Sequence, residues 1–223
     1  AYKGYINAFI ASSPSRILKT IISLHNQGSL YNHIGITVYE TFLSFIIGSI
    51  LGTLIAIILW WNRFISKVID PYLTILNSLP KVALGPLLII WVGANYKSII
   101  LMAILISIIV SIQSISIGFK STNTNRIKLL KSFKATDKDI LKYVVIPSNY
   151  KIIINSCKIN IGLCLIGVIM GEFLTSKAGL GYLILYGSQV FNLNLVMSGI
   201  IILLIISVLL YKIITTIEKY LDV

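Results

Sequence analysis

The sequence predicts an all-α integral membrane protein with five membrane-spanning helices. Of its 223 residues, 57% are hydrophobic and 12% are charged, and the mean hydropathy is +0.92. The charged fraction is about half that of an average soluble domain, which excludes an ordinary cytosolic enzyme. Because one span needs about 20 mostly apolar residues, five spans and their loops use the chain and leave no room for a second folded domain.

Residues 1–35 are mixed in character and contain no stretch long enough to cross a bilayer. Pro14, Gly28 and the polar residues 25–27 interrupt the apolar runs in this part of the chain. We expect an external N-terminal segment with one short helix from Ser15 to Leu24. A transmembrane domain follows at residues 36–223.

The predicted spans cover about 36–61, 72–91, 99–119, 152–170 and 195–214. The first ends in Trp60 and Trp61, followed by Arg63, which is typical of a membrane–water interface. The second contains the helix breakers Pro80 and Pro86, so a broken helix is expected there. The third carries no charge and is the clearest of the five.

The net charge of +12, from 19 Lys+Arg against 7 Asp+Glu, indicates orientation in the membrane and not a nucleic-acid site. Basic residues of membrane proteins collect on the cytoplasmic side. Residues 120–151, named here the basic connection, lie inside when the first segment is external and the C-terminus is cytoplasmic. This orientation puts 12 basic residues on the inside: Arg63, Lys67, Lys120, Arg126, Lys128, Lys131, Lys134, Lys138, Lys142, Lys151, Lys212 and Lys219. Five lie outside: Lys3, Arg16, Lys19, Lys97 and Lys177. Lys81 and Lys158 lie within spans.

A stripe of small residues marks one face of the first span. Gly48, Gly52 and Ala56 recur every four residues, which places them on the same side of a helix. A neighbouring helix can approach such a face closely, so we expect helix packing there.

Several polar residues lie inside the predicted spans, where an ionisable group is costly unless it faces protein or water. Asn160 is two residues from Lys158, and Asn77 is four residues before Lys81. These groups line a water-accessible path, or the lysines reach the interface or pair with other side chains. Glu40 lies near the outer end of the first span. Two interpretations remain for it, either solvation by interfacial water or a place on such a path.

The basic connection predicts two short amphipathic helices on the cytoplasmic side. Apolar residues at positions 127, 130 and 133, and again at 140, 141 and 144, have helical spacing. Thr136 followed by Asp139 has the pattern of a capping box, which would start the second helix. A basic helix lying on anionic lipid is the alternative interpretation.

The sequence contains no arrangement typical of a catalytic or metal site. His25 and His33 lie outside the predicted spans and share no ligand spacing with acidic residues. The sequence also has no G-x-x-x-x-G-K-[ST] loop. We therefore expect no cofactor in this chain, and any ATP-driven step requires ATP bound by a partner subunit.

A series of short motifs follows in a fixed order along residues 12–223. They are Ser13-Pro14-Ser15-Arg16-Ile17-Leu18, Gly28-Ser29-Leu30 with His33, Asp70-Pro71, the stretch from Leu79 to Leu87 with Trp91-Val92-Gly93, Ile146-Pro147, Gly171-Glu172-Phe173, and Gly179-Leu180-Gly181-Tyr182. In this order they resemble the permease subunit of a bacterial ABC importer, in the nitrate, sulfonate and taurine branch of the binding-protein-dependent permeases.

The resemblance implies a type I ABC importer transmembrane domain with a cytoplasmic coupling helix. In that family the connection at 120–151 holds the EAA loop, whose short helix docks on the ATPase. Lys128 replaces the family's usual Glu, and Lys134 replaces the usual Gly of the turn. Lys158 replaces a usual Arg, and Glu40 falls near another usual Arg. The family's first helix would precede residue 12, and we interpret its absence from the sequence as truncation or processing.

The same resemblance implies the partners and the site residues. The partners are a dimer of ABC ATPase subunits, a second permease copy in a homodimer, an external solute-binding protein and the lipid of the bacterial cytoplasmic membrane. The predicted ATPase contacts are Phe133, Ala135, Thr136, Asp137, Lys138, Asp139, Ile140 and Lys142. The predicted translocation-path residues are Asn77, Lys158 and Asn160.

The substrate implied by the resemblance is a small anion such as nitrate, a sulfonate or taurine, or a vitamin precursor. The chain itself would be a transport subunit and not an enzyme. The alternative is a non-transporting membrane scaffold whose basic connection binds lipid or an acidic partner. Lys128 and Lys134 are the residues that favour this alternative.

Overall fold

Long apolar helices form the body of the protein, and one of them, α5, packs between α2 and α9. The computed structural model describes residues 12–221, and no strand occurs in that range. The helices are α1 (Pro14–Asn26), α2 (Ser29–Trp61), α3 (Arg63–Ser78), a 3-10 turn (Lys81–Leu84), α4 (Gly85–Val92), α5 (Tyr96–Lys120), α6 (Thr124–Ser132), α7 (Asp137–Ile140), a π-helical turn (Leu141–Val145), α8 (Ile146–Ser148), α9 (Tyr150–Thr175), α10 (Leu180–Gln189) and α11 (Leu193–Leu221). The predicted outer position of Lys3 lies outside the described residues.

Four helices, α2, α5, α9 and α11, are long and apolar enough to cross a membrane. The predicted broken helix is confirmed: α3 and the segment that ends with α4 meet at an angle of 87°. α3 ends before Pro80, whereas Pro86 sits in the first turn of α4, where its missing N–H group is not needed. Counting the bent pair as one span gives up to five spans.

Close helix packing explains the stripe of small residues on α2. A Cβ atom on Gly52 would lie 2.7 Å from Cβ of Ser111 on α5. On the other side of α5, a Cβ atom on Gly167 of α9 would lie 2.5 Å from Cα of Ala103. The predicted packing at Gly48, Gly52 and Ala56 is therefore confirmed, and it holds α5 tightly between its two neighbours.

The N-terminal part of the described chain differs from the prediction. α2 begins at Ser29, seven residues before the expected start of the first span, so residues 29–35 belong to the first long helix. α1 is also more than a surface helix, because Ile17 is buried and its carbonyl oxygen accepts a hydrogen bond from the hydroxyl of Ser198 on α11 at 3.4 Å. Amphipathic spacing predicts the helix but not the element that covers its apolar face.

Two other predictions were wrong for local reasons, namely the start of α3 and the absence of a helix after Gly179. α3 begins at Arg63, about nine residues before the expected span, because Asn62 caps it by accepting hydrogen bonds from the N–H groups of Phe64 and Ile65 at 3.0 and 3.1 Å. α10 was not predicted, since only an external turn was expected after Gly179. The ten residues of α10 are too few to produce a span-like signal.

Candidate coupling surface and buried polar centre

The two short helices predicted in the basic connection are present as α6 and α7, which a tight turn joins, and a π-helical turn and α8 continue the chain beyond α7. α6 ends at Ser132, and Lys134 then adopts a φ of +60°. This left-handed conformation costs free energy for any residue except glycine. The N–H group of Ala135 donates to the carbonyl oxygen of Leu130 at 3.1 Å and closes the turn.

The predicted capping box at the start of α7 is confirmed. The N–H group of Thr136 donates to Oδ2 of Asp139 at 2.9 Å, and the N–H group of Asp139 donates to Oγ1 of Thr136 at 3.3 Å. The hydrogen bonds from the hydroxyl and N–H groups of Thr136 hold the pKa of the Asp139 carboxyl below its usual value. A charged Asp139 also suits the positive end of the helix dipole.

Ile140 anchors the basic connection to the membrane helices. Its side chain is 1% exposed and belongs to a cluster with Ala56 of α2, Ile115 and Phe119 of α5, and Val145. A side chain buried in its own subunit cannot form a surface contact, which corrects the prediction that Ile140 touches the ATPase. Apolar spacing alone does not distinguish an anchor from a partner contact.

The other predicted ATPase contacts divide into two groups. Ala135 is partly buried against the same cluster, and Asp139 is half-buried in the capping box. The remaining five are exposed and together form what we call the docking face: Phe133, Thr136, Asp137, Lys138 and Lys142. Phe133 is 77% exposed and is the one apolar side chain of the docking face.

A buried polar centre, which sequence analysis did not predict, joins three helices on the opposite side from the basic connection. The hydroxyl of Thr37 on α2 donates to Oε1 of Glu172 on α9 at 2.6 Å. Oε2 of Glu172 accepts from the N–H group of Gly181 at 2.5 Å, and Oγ1 of Thr37 accepts from the N–H group of Leu180 at 2.8 Å. Glu172 thereby fixes the first turn of α10 beneath the end of α9.

The loop before α10 requires glycine at this centre. Gly179 has a φ of +109°, and a Cβ atom there would overlap the carboxyl group of Glu172. The N–H group of Gly179 donates to Nδ1 of His33 at 3.0 Å. His33 therefore lies within α2 and supports the loop, which corrects its expected place outside the spans.

Glu40 lies beside this centre and is 3% exposed. Its carboxyl group faces Glu172 within hydrogen-bonding reach, and its Oε2 atom has no hydrogen-bond partner among residues 12–221. The expectation of interfacial solvation is therefore wrong. The motif Gly171-Glu172-Phe173 was the available signal for the centre, but the sequence does not show that Glu40 and Glu172 meet.

The three predicted path residues do not converge on one site. Asn77 is exposed, and its Oδ1 accepts from Nζ of Lys81 at 3.0 Å. Lys158 forms an ion pair of 2.5 Å with Glu218 on α11. Asn160 is 1% exposed and donates to Oγ of Ser49 on α2 at 2.7 Å. Lys158 and Asn160 join α9 to α11 and to α2, whereas Asn77 contacts only a residue four positions further along the chain. The role of all three in translocation stays a prediction.

Comparisons with known proteins support one family. The sequence matches the family model described as binding-protein-dependent transport system inner membrane component over residues 45–222. A probable ABC transporter permease protein of Haemophilus influenzae is 28% identical over 208 residues, which are 93% of this chain and 84% of that protein. The putative aliphatic sulfonates transport permease protein SsuC of Bacillus subtilis is 25% identical over 216 residues, covering 97% and 78%.

Solved structures agree with this assignment at the level of the fold. An inward-facing structure of the MetNI methionine ABC transporter superposes with a TM-score of 0.75 at 17% identity, covering 87% of this chain and 96% of that one. The fold and the matches define a polytopic transport component of the inner membrane. The chain belongs to the family of binding-protein-dependent transport system inner membrane components, and it is a permease subunit of an ABC importer.

Proposed function

We propose that two copies of this chain form the path by which a small organic solute or anion crosses the inner membrane. A separate ATPase dimer binds ATP and drives the step, and an external solute-binding protein delivers the solute. The docking face and the C-terminus lie on the cytoplasmic side. Relatives named for aliphatic sulfonates, taurine and formylaminopyrimidine support a sulfonate, taurine or a vitamin precursor as the solute, with nitrate as the inorganic candidate.

The observation that carries this proposal is the anchoring of the docking face. Phe133 and Lys138 are exposed for a partner, while Ile140 and Val145, in the same short segment, are buried among α2 and α5. Because a close-packed cluster does not deform continuously, a force on the docking face moves the attached helices as a unit.

Hydrogen bonds join the end of the basic connection to its beginning, so the segment can move as a rigid unit. Nδ2 of Asn149 donates to Oγ1 of Thr122 at 2.7 Å and to the carbonyl oxygen of Val145 at 2.8 Å. Thr122 follows α5, and Asn149 precedes α9. Closure of the ATPase pair on ATP would therefore move α5 and α9 together and alternate the access of the path.

The test is ATP-driven uptake by the permease reconstituted with its ATPase and binding protein. The double variant Phe133→Ala with Lys138→Glu removes the apolar contact and reverses one charge on the docking face. We expect uptake to fall at least tenfold while the purified chain keeps its unfolding midpoint. Leu129→Ala is the matched control, because Leu129 is an exposed apolar residue of α6 outside the docking face.

Two results would overturn the proposal. The first is unchanged uptake by the double variant. The second is a purified chain that retains no ATP-hydrolysing subunit and contacts only lipid through its basic connection.

A further inference from the structure

A cavity of about 900 Å³ lies at the end of the helix bundle where the basic connection folds. We give the name basic cavity to the space bounded by residues 59–70 of α2 and α3, residues 119–131 of α5 and α6, and residues 137–140 of α7. Buried apolar side chains contribute to its lining, namely Leu59, Phe119 and Ile140. Its volume is enough for the headgroup of a phospholipid.

Positively charged side chains from three helices line the basic cavity. Arg63 and Lys67 come from α3, Lys120 from the end of α5, and Lys131 from α6. Arg63, Lys67 and Asp70 recur at intervals of four and three residues, so they lie on one face of α3. That face of the helix therefore presents its charged side chains to the cavity.

The two carboxylates in the lining already have lysine partners. Asp70 accepts from Nζ of Lys120 at 2.5 Å, which joins α3 to α5. Oδ1 of Asp137 lies 4.0 Å from Nζ of Lys131. These two lysines and two carboxylates cancel one another in charge.

Arg63 and Lys67 are left over from this pairing. Both side chains are exposed, and neither makes an ion pair within residues 12–221. They lie one turn apart on the same face of α3, and like charges at this spacing repel one another. The basic cavity therefore holds two positive charges that no acidic side chain of the described chain neutralises, and an anion bound there would relieve their repulsion.

Aromatic rings beside these charges favour a lipid over a free anion. Trp61, at the end of α2, is 47% exposed, and Phe64, in the first turn of α3, is 76% exposed. Both residues line the basic cavity. Tryptophan at the end of a membrane-spanning helix is typical of the level of the lipid headgroups. A lipid offers a phosphate to the cations and apolar carbons to the rings, whereas a free phosphate ion offers nothing to the rings.

We propose that the basic cavity binds the headgroup of an anionic phospholipid, with its phosphate on Arg63 and Lys67. A guanidinium group donates two parallel hydrogen bonds to a phosphate, and an ammonium group adds a point charge. A basic pocket between membrane helices suits such a headgroup. The two cations that hold the phosphate belong to α3 and lie outside the docking face, so this inference is independent of the ATPase contact proposed above.

The test is the selectivity of lipid retention by the purified complex of permease and ATPase. Native mass spectrometry counts the lipids bound in micelles that contain equal amounts of phosphatidylglycerol and phosphatidylcholine with the same acyl chains. The wild-type complex is expected to retain phosphatidylglycerol over phosphatidylcholine at least about fivefold, which is the effect of a single cation near a lipid surface. The double variant Arg63→Gln with Lys67→Gln is expected to lower this selectivity below about twofold.

A matched control removes the same number of charges elsewhere. Lys212→Gln with Lys219→Gln changes two exposed lysines of α11 that are absent from the cavity lining, and it should leave the selectivity unchanged. If the α3 double variant does not assemble with the ATPase, Lys67→Gln alone decides, and its selectivity is expected to fall to about half the wild-type value.

A competition experiment separates the lipid from a free anion. Excess inorganic phosphate should leave phosphatidylglycerol bound, because it offers nothing to Trp61 and Phe64. Displacement of the lipid by inorganic phosphate would overturn the lipid assignment. Equal retention of the two lipids by the wild-type complex, or full selectivity in the α3 double variant, would overturn the site itself. A loss of selectivity in the α11 control equal to that in the α3 variant would also overturn it, because net charge alone would then account for the effect.

Discussion

The hydroxyl of Thr37 on α2 donates a 2.6 Å hydrogen bond to the carboxyl group of Glu172 on α9, and both side chains are fully buried. The same hydroxyl oxygen accepts the N–H group of Leu180 at the start of α10. One small side chain therefore joins three helices. The end of the helix bundle where α2 begins depends on this contact, and the opposite end depends on Ile140.

Replacing Thr37 by Val tests this connection without changing the side-chain volume. The change leaves Glu172 with one fewer donor and the N–H group of Leu180 unpaired, so we expect a loss of about 1–3 kcal/mol in the free energy of unfolding. The measurement is equilibrium unfolding of the purified chain in mixed micelles.

The matched control lies four residues further along the same helix. Thr41 is also fully buried, but its Oγ1 atom has no partner among the described residues. Thr41→Val should therefore not lower the free energy of unfolding, because no hydrogen bond is lost and an unpaired buried hydroxyl is removed. Equal losses in the two variants would show that the Thr37 contact contributes nothing specific.

Gly179→Ala combines an unfavourable φ with a clash against Glu172. Gly28→Ala has an unfavourable φ of +72° but no atom within 4 Å of the added methyl group. We expect Gly28→Ala to destabilise by about 1 kcal/mol and Gly179→Ala by at least about 2 kcal/mol more. Thermal unfolding in lipid nanodiscs measures both, and similar midpoints would contradict the close approach of Glu172 to the loop.

Lys134→Gly should strengthen the turn of the basic connection. The change removes the cost of a left-handed lysine, which exceeds the added chain entropy of glycine, so a gain of about 0.5–1 kcal/mol is expected. Lys138→Gly is the control, because a glycine inside α7 costs about 1 kcal/mol instead. Amide hydrogen exchange of residues 133–140 reports both changes, and slower exchange in Lys138→Gly than in Lys134→Gly would refute the strained turn.

Local features of this fold could be predicted from the sequence, whereas contacts between distant residues could not. The capping box at Thr136 and the break at Pro80 depend on a few neighbouring residues, so local patterns predict them. The approach of Glu40 to Glu172 joins residues 132 positions apart, and no local pattern contains it. Ile140 lies between these cases, because helical spacing shows that it is on an apolar face without showing which protein covers that face.

The ion pair of Lys158 with Glu218 should contribute more to the free energy of unfolding than the ion pair of Lys120 with Asp70. Both are 2.5 Å long, but the first pair is 16% and 23% exposed and the second 42% and 45%. Glu218→Gln leaves a largely buried lysine on α9 and should cost about 2 kcal/mol, whereas Asp70→Asn should cost less than about 1 kcal/mol. Unfolding in micelles at low salt gives the comparison, and the reverse order would mean that Lys158 finds water or another partner.

The most direct test of the coupling assignment is a photo-cross-link from the docking face in intact bacterial membranes. A photoreactive phenylalanine at position 138, expressed together with the ATPase, should form a cross-link to the ATP-binding subunit with a yield that changes when ATP is trapped. The same group at position 129, outside the docking face, should give little product. Cross-links from position 138 to lipid alone would contradict the role of this segment as the lever between the ATPase and the membrane helices.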